Sequence, residues 1–125
     1  MAFILDAAYD AALTYVQSRG TRLDICSTEP TTYAQAITTY SLGNKLTPTI
    51  SVPADRTGGG RKITTSAISD GSVTGNGTAA FWAITQVSTT TLLATGSLSA
   101  TQVVTSGNTF TLAAFDIGVT DAVSA

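Results

Sequence analysis

From Arg61 to Gly118 the chain is a succession of short apolar and hydroxyl-rich runs: "RKITTSAIS", "TAAFWAITQV", "TLLATGSLS", "TQVVT" and "TFTLAAFDIGV". Each breaks off at a small cluster of Gly, Ser, Thr, Asn or Asp. β-branched and aromatic side chains suit a pleated, half-buried surface, and clusters of turn residues end strands. Turns are expected at Asp70-Gly71, at "GNG" (75–77) and at Ser106-Gly107-Asn108. Strands at this spacing predict a mainly β, α+β fold: an antiparallel β-sandwich or barrel-like meander. One run says more. "TAAFWAITQV" places Phe81, Ala83 and Val87 on one face and Trp82 and Ile84 on the other. Both faces are apolar, so this strand is central or is covered by a partner, with Phe81 and Trp82 as core or interface anchors.

The first 45 residues follow a different pattern. Leu5, Ala8, Tyr9, Ala12, Leu13 and Val16 recur at helical spacing, predicting an amphipathic helix over 5–18. Asp6 and Asp10 complement its dipole, and Arg19-Gly20 ends it. "TRLDICS" alternates Leu23 and Ile25 against Arg22 and Asp24, the pattern of a short strand. "TTYAQAITTYSLG" (31–43) is expected to form a short helix capped by Thr31 or Thr32. The stretch 46–60 is expected to be irregular, with Pro48 and Pro53 confining any strand there to an edge. The residues after Gly118 are expected to form a frayed tail. With 125 residues and no sharp break in composition, one domain is expected.

Charge is scarce. Charged residues make up 11 % of the chain, against about 25 % in an ordinary soluble domain. Thr alone supplies about a fifth. Such a surface suits a subunit whose faces are shared with neighbours. A net charge of −2 argues against a nucleic-acid binder. Asp6 and Asp10 interrupt the first apolar run, which has no leading positive region, so no secretory signal and no membrane span is expected.

Catalytic and metal chemistries find little support. There is no His and one Cys, which removes Ser–His–Asp and Cys–His catalysis and the usual zinc ligand sets. Cys26 is expected to be a small buried hydrophobe. The eight acids are scattered, mostly beside turns and helix starts, where caps and turn formers belong. No cofactor and no metal is expected.

Half of the six Lys and Arg fall within "ADRTGGGRKITT": Arg56, Arg61 and Lys62, around Gly58-Gly59-Gly60. A phosphate-binding loop would open a helix, whereas this one leads into a strand. Two readings stand: a basic, flexible turn, or a tip that docks its cations on carboxylates of a partner protein.

The order "RGTRLDICSTEPTTYAQAITTYSLGNK", "PADRTGGGRKIT", "GNGTAAFWAIT…LLATGSLSATQVVTSGNTFTLAAFDIGV" resembles small proteins encoded among the structural genes of tailed bacteriophages. The resemblance spans nearly the whole chain and carries no catalytic motif. It implies a virion component, a capsid decoration (cement) protein that binds the major capsid protein on the capsid exterior and oligomerises, often as a trimer. A tail, baseplate or head-fibre component is the alternative within the virion. A carbohydrate-binding module for host attachment is an alternative of another class, requiring Trp82 or several tyrosines to be exposed.

Overall fold

The computed structural model describes residues 5–119. The protein is mainly antiparallel β, with an N-terminal helix. The strands are β1 (Arg22–Cys26), β2 (Ser41–Leu46), β3 (Ala54–Asp55), β4 (Arg61–Thr65), β5 (Ile68–Val73), β6 (Gly77–Gln86), β7 (Thr91–Val104), β8 (Thr109–Leu112) and β9 (Phe115–Val119). Six form a curled sheet in the order β7-β6-β1-β2-β5-β8, and three form a second sheet, β3-β4-β9. Every pairing is antiparallel, yet β4, β5, β8 and β9 find partners distant in sequence: β4 pairs with β9, and β5 with β2 and β8.

Both sheets turn apolar side chains onto one core. Leu23 and Ile25 of β1, Trp82 and Ile84 of β6, Phe110 of β8 and Ile63 of β4 meet there. Each fully buried Leu or Ile side chain stabilises the fold by about 1.5–3 kcal/mol. Phe115, Ile117 and Val119 of β9 pack against the same cluster.

The helix α1 spans Asp6–Arg19, with Asp6 in its first turn and Arg19 in its last. Its buried stripe is narrower than the sequence suggests: Tyr9 and Leu13 are buried, whereas Leu5, Ala8 and Ala12 are exposed. On its outer surface Arg19 lies over the Tyr15 ring at 4.5 Å. Asp10 is held by Arg61 at the start of β4. Gln17 donates to the carbonyl of Ile50, which bridges to Thr65 at the end of β4. The helix therefore lies along β4, its N-terminal end toward Arg61 and its C-terminal end toward Thr65.

The outer face of β6 is covered by the chain itself. Phe81 and Ala83 point away from the main core and join Cys26, Ala36, Ile37, Tyr40 and Leu92 in a second cluster. The segment between β1 and β2 supplies this cover. Its helix is shorter and wider than the residue pattern predicts, a π-helical turn over Gln35–Thr39. Thr32 caps it by accepting the Gln35 backbone N–H at 3.2 Å. The β-branched Ile37, Thr38 and Thr39 oppose a longer helix.

Three expectations need correction. Residues 41–46 form an interior strand, β2, between β1 and β5, where loop or helix was expected. Gly43 permits it, since a Cβ there would lie 2.5 Å from the carbonyl oxygen of Ser72. Asp70-Gly71 lies inside β5, where a turn was expected. The Phe110 ring packs directly over Gly71, leaving no space for a side chain. "TLLATGSLS" and "TQVVT" form one strand, β7, whose register with β6 shifts twice. Val119 completes β9; the rest of the expected tail, 120–125, lies outside the described residues.

Candidate functional site

The basic glycine stretch is the tip of the β3–β4 hairpin. Ala54 pairs with Lys62 and Asp55 with Arg61. Gly58, Gly59 and Gly60 have φ of 89°, 103° and 94°, a left-handed run that side chains rarely adopt. The tip is fastened internally. The Arg56 N–H donates to Gly60 O at 3.1 Å, the Gly59 N–H to Arg56 O at 3.1 Å, and Arg56 Nη1 to Gly59 O at 3.0 Å. These bonds define the turn.

The three cations that share this stretch take different roles. Arg61 is consumed by the fold. Its Nε and Nη2 donate to the two Asp10 oxygens at 2.8 and 3.2 Å, and its Nη1 to Asp55. The hydrogen bonds to Asp10, then those to Asp55, hold the guanidinium pKa above its ordinary value. Lys62 pairs with Asp116 of β9 at 3.2 Å. The Thr64 hydroxyl donates to the same carboxylate at 2.8 Å. That bond, with Lys62, lowers the Asp116 pKa below the usual 3.8. Arg56 has no carboxylate partner among the described residues. Its side chain passes close to Gly118, where a Cβ would stand 3.1 Å from Cδ and Nε.

Arg56 and Lys62 flank one polar cleft of about 390 Å³, completed by Thr57, Asp116 and Gly118. Two cations and one carboxylate leave a local excess of positive charge. Planar guanidinium and mobile ammonium together suit a carboxylate-bearing surface. The cleft brings Arg56 and Lys62 together and leaves Arg61 behind them as their support.

Trp82 and Phe81 part across the sheet. Trp82 is buried at 7 % exposure and stacks on Phe115 with centroids 4.6 Å apart. At that burial it is not the exposed ring that a sugar-stacking platform requires.

Sequence reasoning missed a buried polar cluster on the outer face of β1. Asp24 is fully buried. It accepts from Arg22 Nε at 2.7 Å, Arg22 Nη2 at 2.9 Å and the Ser41 hydroxyl at 2.6 Å. Burial raises the Asp24 pKa, and the hydrogen bonds from Arg22 and Ser41 only partly offset it. An Arg-x-Asp pair on one strand face, two residues apart, was the available signal. Beside it, Cys26 is buried as expected, and burial pushes its thiol up to about 12, leaving almost no thiolate for chemistry near neutral pH.

Among the described residues, no group of three His, Cys, Asp or Glu is placed to hold a metal ion. No helix among them is long and apolar enough to cross a membrane. Comparison with known proteins finds no matching family model, no matching curated protein and no matching solved structure.

Proposed function

We propose that this chain is a non-enzymatic structural protein of a tailed-bacteriophage virion, a decoration protein that binds the major capsid protein and stabilises the head. The observation that carries the reading is the cleft lined by Arg56 and Lys62, where Arg56 has no carboxylate partner among the described residues and is held to the turn by its Nη1 bond to Gly59 O. Preorganised Arg and Lys bind carboxylates of a protein surface at low entropic cost. The acids support the non-enzymatic part. Asp10, Asp24, Asp55, Asp70 and Asp116 are each engaged in an ion pair with Arg or Lys, which accounts for these five as structural charges.

The test is binding to purified heads by co-sedimentation. Arg56→Ser with Lys62→Ser weakens binding, and its difference from wild type is largest at low salt, where exposed charges are least screened. Equal binding of the double variant overturns the role of the cleft. Absence of the protein from purified virions overturns the reading as a whole.

A further inference from the structure

Two hollows adjoin across the outermost strand of the smaller sheet. That strand is β9, which pairs with β4 on one side and with no other strand among the described residues. The basic cleft of about 390 Å³ lies toward its C-terminal end, where the Arg56 side chain passes close to Gly118. A second opening, of about 230 Å³, lies at its N-terminal end, lined by Trp82, residues 97–99 of β7 and residues 112–115. Asp116 lines both.

The hydrogen bonds of β4 show which way the β9 backbone faces. Thr64 donates its N–H to Ser51 Oγ at 3.0 Å and accepts from the Ser51 N–H at 2.8 Å, so both its backbone groups face away from β9. In an antiparallel pair, opposed residues alternate between those bonded to each other and those whose groups point outward. Thr64 stands opposite Asp116, which makes that pair the outward kind, as is Lys62 with Gly118 two residues on. The N–H and C=O of Asp116 and Gly118 therefore point out from the edge, and among the described residues they have no hydrogen-bond partner. Asp116 is the one charged residue of β9, and its carboxylate is turned back onto Lys62 and Thr64. It does not guard the edge as an outward Lys or a Pro would.

Side chains alternate along β9. Phe115, Ile117 and Val119 pack on the core, and Asp116 and Gly118 share the other face with Thr64 and Lys62. A strand laid along this edge repeats the alternation. Its residue opposite Phe115 turns toward the Trp82 opening, and its residue opposite Gly118 turns toward the cations. These two positions are three apart and on opposite faces. In an antiparallel strand, the sense of every pairing in this protein, the residue at Gly118 comes first.

Charge and volume select the two side chains. A cleft with two cations and one carboxylate calls for an acid. The other opening is smaller than the pockets of drug-sized ligands and suits one large apolar side chain. An aromatic ring there would join Trp82 and Phe115, an arrangement rings favour at centroid separations of about 4.5–7 Å.

We propose that β9 is a docking edge, along which an extended segment of a partner protein adds as a fourth strand of the β3-β4-β9 sheet. The segment places an acid in the Arg56–Lys62 cleft and, three residues later, a large apolar side chain in the Trp82–Phe115 opening. Backbone bonds to Asp116 and Gly118 supply affinity, and the two hollows supply sequence selection. The proposal rests on the carboxylate-binding reading of the cleft and adds the partner's conformation, its apolar residue and the spacing.

The experiment titrates a terminally capped peptide, TDVTFT, into the full chain. Binding shifts the emission of Trp82, the one tryptophan, and slows amide exchange at Asp116 and Gly118. TDVTST binds at least about tenfold more weakly, the loss expected for one large buried apolar group. TNVTFT binds about threefold more weakly at low salt, a difference that vanishes in the Arg56→Ser, Lys62→Ser double variant. TVDTFT has the same composition as TDVTFT but carries its acid on the face of the ring, and it binds no better than TNVTFT. Unchanged Trp82 emission, unslowed exchange at Asp116 and Gly118, or equal binding of TVDTFT overturns strand addition, even where the double variant is weakened on heads. A double variant that binds heads like the wild type overturns the cleft reading beneath it. Exchange at Asp116 and Gly118 that slows with protein concentration alone assigns the edge to a second copy and overturns the proposal.

Discussion

Arg61 and Asp10 stand 51 positions apart in sequence and meet through two hydrogen bonds, 2.8 and 3.2 Å long. This contact pins α1 to the β3–β4 hairpin and sets the Arg56–Lys62 cleft on a fixed base. Arg61→Ser is expected to lower the melting temperature and to speed amide exchange in α1. Arg56→Ser, which removes only a side-chain bond within the turn, is expected to leave amide exchange in α1 unchanged. Equal effects of the two variants would contradict this division of roles.

Gly96 faces the Trp82 ring so closely that a Cβ would lie 2.6 Å from the ring. Gly96→Ala therefore overpacks the core and is expected to cost about 1–3 kcal/mol in urea unfolding. A cost below the error of the extrapolation would show that Trp82 does not occupy the place described.

Thr85 is fully buried, and its hydroxyl has no hydrogen-bond partner among the described residues. Thr85→Val keeps the shape and removes the unsatisfied group. It is expected to stabilise the protein by about 1 kcal/mol, at the low end of the penalty for a buried unpaired hydroxyl. A destabilised variant would reveal a bond to that oxygen.

Asp24 and Asp116 are expected to titrate on opposite sides of 3.8, the ordinary value for Asp. Asp24 binds its proton more readily folded than unfolded, so its contribution to stability falls as pH rises from 3.8 through its raised folded value. Asp116 does the reverse: its contribution is present above 3.8 and is lost as pH falls through its lowered value. Carboxyl carbon chemical shifts followed from pH 2 to 8 check both. An Asp24 that titrates below Asp116 would contradict the buried cluster.

The β character, the α1 boundaries and the burial of Cys26 were legible because each rests on local periodicity or composition. β2 was illegible for a physical reason: it is an interior strand made possible by what packs around it. Its Gly43 and Asn44 disfavour a strand locally, and the close approach of Ser72, Val73 and Phe110 explains Gly43. The same holds at Asp70-Gly71, a turn by its residue types and a strand because Phe110 needs the space. At the candidate site, the sequence placed Arg56, Arg61 and Lys62 together but had no means of pairing Arg61 with Asp10 or Lys62 with Asp116, contacts 51 and 54 positions apart. It also led to the idea that low charge and a two-faced apolar strand call for a partner. On β6 that cover comes from residues 27–40 of the same chain.

The proposed decoration role requires this protein to be a stoichiometric part of a phage head. Quantitative mass spectrometry of purified virions measures that stoichiometry. The protein is expected in constant proportion to the major capsid protein, at a copy number that scales with the capsid lattice. Its absence from virions, or a copy number at the level of tail parts, would overturn the decoration role.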